Sequence, residues 1–137
     1  MTKQRNISES ELTVLRTLWR RREGVVREIA EDLEKSGVKW AYTTVQTLLN
    51  RLEVKGYVKR DTSGTAHTYR PAMSREKLVA RRLHDLADQL CEGASTPLVM
   101  ALVDNVRLSQ EDIAHLRELL DRLDESTPNA NPPNANE

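Results

Sequence analysis

Three helical patterns in succession give way, after Gly56, to a period of two, and that switch limits what the first half of the chain can become. The first helix is announced by its cap. Ser8 and Glu11 form a Ser-x-x-Glu capping box, and Ile7 with Leu12 stands where a hydrophobic staple belongs. Leu12, Leu15, Leu18 and Trp19 then line one side to about Arg22, before Gly24 and Val25 interrupt. The second pattern, Val26, Ile29, Ala30 and Leu33, predicts a helix from Val26 to Lys35 with Gly37 as its stop. The third, over residues 43 to 56, puts Val45, Leu48, Leu49 and Leu52 at i, i+3, i+4 and i+7 and ends at Gly56. Residues 57–61 and 66–70 are short β-prone runs around Thr62-Ser63-Gly64-Thr65, which reads as a hairpin. Three helices followed by a hairpin make a winged helix-turn-helix, in which the third helix enters the major groove and the wing lies along the backbone.

The outer face of the third helix fits that role. Thr43, Gln46, Thr47 and Asn50 supply short hydroxyls and amides where a solvated helix usually carries Glu and Lys, and Arg51 and Lys55 flank them. Such a face can hydrogen-bond base edges while nearby cations hold phosphates. An ordinary amphipathic helix with a Thr-rich exposed side is the plainer alternative. Lys59, Arg60, His67 and Arg70 give the wing its cations. The formal net charge of zero also hides a division. Residues 1–73 hold 14 Lys and Arg against 9 Asp and Glu, a balance of +5, and residues 74–137 hold 7 against 12, a balance of −5. A basic N-terminal half suits a polyanion, whereas the acidic half suits a protein contact.

Other classes are excluded by what the chain lacks. With 137 residues, 38% of them apolar, it fits one or two small soluble domains. No apolar run approaches the roughly 18 residues of a transmembrane helix, and the N-terminus lacks the apolar stretch of a signal peptide, so a cytoplasmic location is expected. The single cysteine, Cys91, rules out an internal disulfide or a Cys-based zinc site and reads as a small buried hydrophobe. His67, His84 and His115 are scattered, and no phosphate loop, nucleophile motif or metal-ligand spacing occurs. His84 with Asp85 and Asp88 lacks a second histidine one turn away and reads as a solvated helical face. No enzyme, metal or cofactor is expected.

The rest of the chain is helical. Ser74 starts a long helix to about Glu92, where Val79, Leu83, Leu86 and Leu90 repeat with spacings of 4, 3 and 4. Thr96-Pro97 caps a short helix to about Val106. Ser109 caps the last, where Ile113, Leu116, Leu120 and Leu123 repeat with spacings of 3, 4 and 3. Three helices from about 50 residues enclose no core of their own, and a second copy of the same segment is the simplest partner, with folding back on the N-terminal domain of the same chain as the alternative. The expected organisation is a winged-helix DNA-binding domain over 1–73, a helical dimerisation domain over 74–125 and a disordered tail over 126–137, where Pro-Asn-Ala-Asn occurs twice.

The stretch Ala41-Tyr-Thr-Thr-Val-Gln-Thr-Leu-Leu-Asn-Arg-Leu-Glu-Val-Lys-Gly56 resembles the penicillinase-repressor family, the BlaI/MecI/CopY transcriptional repressors. Leu12-x-x-Leu-x-x-Leu-Trp19, Tyr69-x-Pro71 and Leu108-Ser-Gln-Glu-Asp-Ile-x-x-Leu116 extend the resemblance over about residues 7 to 124. The resemblance implies a homodimer that binds a palindromic operator on double-stranded DNA and is released by disruption of the C-terminal dimer. Matched motif to motif, the contacts would fall on Thr43, Thr44, Gln46, Thr47, Asn50 and Arg51 and on Arg60 and His67 of the wing, and the residues themselves add Tyr42 as a base reader and Lys55 as a phosphate ligand. The copper-responsive members carry four C-terminal cysteines, which this chain lacks. Antibiotic-responsive members have a membrane sensor protease as partner, which cuts them at an Asn-Phe bond. That position falls on Ala101-Leu102 in a chain without Phe. Two other readings remain: a winged helix that contacts only protein, and a repressor that senses a small molecule in a pocket at the dimer core.

Overall fold

Local devices that the sequence spells out set several of the helix boundaries. A computed structural model describes residues 6–126. Its elements are α1 (Glu9–Arg21), α2 (Val26–Lys35), α3 (Tyr42–Val54), β1 (Val58–Asp61), β2 (Thr68–Pro71), α4 (Arg75–Leu90), α5 (Thr96–Asn105) and α6 (Gln110–Ser126). The fold is mostly α with one antiparallel hairpin, a winged helix-turn-helix followed by further helices. The Ser8 hydroxyl accepts from Glu11 N–H at 3.1 Å and the Glu11 carboxylate accepts from Ser8 N–H at 2.9 Å, completing the expected capping box. At the other end of α3, Gly56 N–H donates to Glu53 O and Tyr57 N–H to Leu52 O. This Schellman turn needs φ = 89° at Gly56, where a side chain would be strained.

Several boundaries differ from expectation. α3 starts at Tyr42 and stops at Val54, and β2 reaches one residue past the expected 70, to Pro71 opposite Val58. A strand end tolerates proline because no further ladder donor is needed. The cap of α5 is Ser95, and Thr96 is its first helical residue. α4 ends at Leu90, so Cys91 lies in the turn that follows and is half-exposed rather than buried. Ser126 belongs to α6, and the remainder of the expected tail, 127–137, lies outside the described residues.

The core of the N-terminal unit is built where the three helical stripes meet the wing. Leu15, Leu18, Ile29, Leu33, Val45, Leu49, Leu52 and Tyr69 are all fully buried. Burying each large apolar side chain contributes about 1.5–3 kcal/mol, so α3 is held by its back and its outer face stays free of packing duty. Hydrogen bonds tie the wing and the residues just after it to the first helices. Tyr69 exchanges backbone hydrogen bonds with Gly24, at 3.0 and 2.8 Å, and Trp19 Nε1 donates to Met73 O at 2.9 Å. Gly24 thus serves as a one-residue third strand. Arg21 lies across it to reach Asp32 at 2.8 Å, and a Cβ there would meet Arg21 Nε at 2.6 Å, so a side chain at this position would push Arg21 aside.

Two compact units divide between Arg82 and Leu83, inside α4, nine residues beyond the boundary expected at 73. Leu78, on the second turn of α4, belongs to the N-terminal core and draws the helix start into that unit. Among the described residues of the C-terminal unit only Ala87 is buried. No helix among the described residues is long and apolar enough to cross a membrane.

Glu11 joins α1 to the end of α3. Its carboxylate is 1% exposed and accepts a 2.7 Å hydrogen bond from Lys55 Nζ, which also donates to Asn6 O at 2.9 Å. Burial alone would raise the Glu11 pKa, but hydrogen bonds from Lys55 and Ser8 and the Lys55 charge outweigh it and hold the carboxyl below its ordinary value. A depressed folded-state pKa stabilises above the unfolded value of about 4.3, and that stability is lost as pH falls through the lower folded value. We therefore expect Glu11→Gln to cost about 1–3 kcal/mol at pH 7 in urea unfolding. The deficit should close below about pH 4 as the parent carboxyl itself is protonated. A deficit unchanged between pH 7 and pH 3 would assign it to packing instead.

Candidate nucleic-acid interface

Because Val45, Leu48, Leu49 and Leu52 face the core, the other side of α3 is presented outward. Tyr42, 53% exposed, stands in its first turn with Thr43 and Thr44, followed by Thr47, Asn50 and Arg51, all exposed, while Gln46 is half-buried. No acidic side chain interrupts this series until Glu53. A face of hydroxyls, amides and one guanidinium has the donors and acceptors to meet base edges and phosphates.

Two hollows flank this face. One of about 450 Å³ is lined by Val25, Val26 and Arg27 of α2, by Tyr42 and Gln46 of α3, and by Thr65, Ala66, His67 and Tyr69 of the wing. It brings three expected residues, Tyr42, Gln46 and His67, around one space. The other, of about 280 Å³, is lined by Thr47, Asn50, Arg51, Val54 and Lys55. Thr43 and Thr44 border neither.

The cations around α3 are not equivalent. Lys55, expected to hold a phosphate, is committed to the buried Glu11 carboxylate, its side chain only 20% exposed. Expectation and structure part here because helix periodicity put Lys55 beside the outer face but could not show a carboxylate from α1 beneath it. Arg60 shares the inward side of the hairpin with Val58 and Tyr69 and sits 3.5 Å from Glu53. Arg70 lies on the opposite side, 3.7 Å from Glu23 and 3.9 Å from Asp61. Such partly exposed pairs are weak. Arg27, Arg51 and Lys59 are exposed and have no acidic partner within ion-pair distance among the described residues.

Val54 and Arg27 are among the lining residues missed from sequence. Val54 is 74% exposed at the end of α3. Nine positions after Val45, it falls half a turn away from the core stripe, a signal present in the spacing. Arg27 sits next to the core residue Val26, and only the packing of α2 on α3 brings it to Gln46. Tyr69 Oη lies 3.5 Å from Asn50 Oδ1, at the limit of a hydrogen bond, linking the wing to the outer face.

The C-terminal unit carries the other expected set except Val79, which falls in the N-terminal unit. Val79, on the N-terminal part of α4, and Leu83, Leu86 and Leu90 are 39–73% exposed, and Ile113, Leu116, Leu120 and Leu123 of α6 are 38–61% exposed. α5 adds Val99, Met100, Leu102 and Val103, each about half-exposed, which the heptad-like spacings of its neighbours did not flag.

A winged helix with a polar, partly cationic outer α3 defines a nucleic-acid-binding regulator, and comparison with known proteins makes the class specific. The penicillinase repressor family model matches residues 7–122. The transcriptional regulator BlaI of Mycobacterium tuberculosis is 33% identical over 98% of this chain and 97% of its own length. The penicillinase repressor of Bacillus licheniformis is 27% identical over 88% of this chain and 94% of its own length. The solution structure of monomeric Bacillus licheniformis BlaI in complex with the blaP half-operator is 30% identical, covering 56% of this chain and 93% of that one, with a TM-score of 0.47. The chain belongs to the penicillinase repressor family and is a DNA-binding transcriptional repressor, not an enzyme.

Lys55 and Arg51, four residues apart on the same helix end, should respond differently to loss of charge. We expect Lys55→Met to cost about 1.5–3 kcal/mol of stability because it strands the Glu11 carboxylate. Arg51→Met should stay within about 0.5 kcal/mol. Urea unfolding of the two variants at pH 7 checks this, and equal losses would deny Lys55 its structural role.

Proposed function

We propose that the chain acts in the cytoplasm as a homodimer. Each protomer reads one half of a palindromic operator with α3 and steadies the DNA with the wing, and the operator is released when the C-terminal helices are parted. The observation that carries the dimer is the apolar surface of the C-terminal unit, where α5 buries nothing and α6 exposes Ile113, Leu116, Leu120 and Leu123. An isolated chain would leave that surface in water, and a second copy removes it. The DNA reading rests on the family and on the outer face of α3. Gln46 can pair with adenine, Thr44 and Thr47 can meet a thymine methyl or a base acceptor, and Arg51 and Arg60 suit phosphates.

Release through the dimer needs no change in α3. A winged domain alone holds a half-site weakly, and tethering two makes the second binding event intramolecular. Ala101-Leu102, the position aligned with the cut site of antibiotic-responsive members, lies within α5, and the chain has no Phe. Cleavage there by a membrane sensor protease and a partner that separates the same helices would have one consequence, loss of the tether.

On a duplex selected from random sequence, Gln46→Ala should cost about 1–3 kcal/mol and far less on random DNA. Arg51→Gln should weaken both alike. If Gln46→Ala weakened both equally, base reading at that position would be wrong.

The dimer is tested by sedimentation. The fragment 1–82 holds the whole N-terminal hydrophobic cluster, from Val14 to Leu78, and should fold as a monomer. The full chain should be dimeric at micromolar concentration. The fragment should also lose about 10²–10⁴-fold in affinity for a full palindrome while still binding a half-site. A monomeric full chain, or a fragment with undiminished affinity for the palindrome, would refute the arrangement.

A further inference from the structure

We propose that the hollow between α2, α3 and the wing seats one phosphodiester of the bound duplex, with Arg27 as the cation that holds it. This rests on the DNA-binding reading above and adds a contact outside the recognition helix and the wing. The hollow, about 450 Å³, gathers Arg27, Tyr42, Gln46, Thr65 and His67 from three separate elements, and among the described residues no acidic side chain lines it. Its polar groups are a guanidinium, a phenol, an amide, a hydroxyl and an imidazole, a set that includes both charged and neutral donors for an anion.

Arg27 is the member with no competing duty. Arg21 is held by Asp32 and Glu28, Lys55 by Glu11, Arg60 by Glu53, and Arg70 by Glu23 and Asp61. Arg27 is exposed and has no acidic partner within ion-pair distance among the described residues. Its planar fork can take two oxygens of a phosphodiester at once. Gln46 borders the same space, so a phosphate fixed by Arg27 sets how far α3 reaches into the groove. Phosphate contacts position a recognition helix in this way without carrying sequence information themselves.

The test uses the full chain, a duplex selected from random sequence and an unrelated duplex. Each phosphate neutralised on binding contributes about 0.9 to the slope of log affinity against log salt. Arg27→Ala should therefore lower that slope by about 0.9 per protomer and weaken both duplexes about fivefold per protomer at 0.15 M salt. Arg27→Lys should restore most of the loss. Duplexes carrying one uncharged methylphosphonate at a time should include a position in each half-site that weakens the parent chain but costs Arg27→Ala nothing more. An unchanged salt slope would overturn the proposal. So would a loss confined to the selected sequence with an altered base preference, which would make Arg27 a base reader. Failure of the parent chain to bind any selected duplex strikes the DNA-binding reading itself, whereas normal parent binding with an unaltered Arg27→Ala strikes Arg27 alone.

Discussion

The geometry of the outer α3 face depends on a buried carboxylate. Glu11 accepts from the first turn of its own helix through Ser8 N–H and from the last turn of α3 through Lys55 Nζ, so one side chain fixes two helix ends against each other. A buried charge is costly unless its lone pairs are filled, and here the partners come from two different elements. The cap of α1 and the placement of α3 are consequently one arrangement.

The wing is held by a second device of the same economy. Tyr69 is fully buried, pairs with Arg60 across the hairpin and with Gly24 on its other edge, and brings its hydroxyl to 3.5 Å from Asn50. A two-stranded hairpin is marginal alone in water, and the added backbone pairing and buried aromatic ring stabilise it. Arg21 depends on the same spot, since it crosses Gly24 to reach Asp32. The turn after α1, the start of α2 and the wing therefore share one glycine.

Much of this was legible because the signals were local. The capping box at Ser8, the stops at Gly37 and Gly56 and the four-residue stripes of α1 to α3 each follow from groups a few residues apart. What the sequence could not give were contacts between distant positions. Glu11 and Lys55 are 44 residues apart, and only their meeting turns a candidate phosphate ligand into a strut. Leu78 looked like part of a separate C-terminal helix, yet it belongs to the N-terminal core and moves the boundary into α4. Arg27 lies off every helical stripe and acquires neighbours only through tertiary packing.

The balance of +5 over residues 1–73 does not say which side chains a polyanion would meet at close range. Lys55, Arg21, Arg60 and Arg70 each lie beside a carboxylate of the same unit. At physiological ionic strength the field beyond about 8 Å is screened, so net charge governs approach and the unpaired cations govern contact. Among the cations without an acidic partner within ion-pair distance, Arg27, Arg51 and Lys59 sit on α2, α3 and β1. Charge counted along the sequence identifies the class of ligand, but ion pairing within the fold decides which side chains are left to touch it.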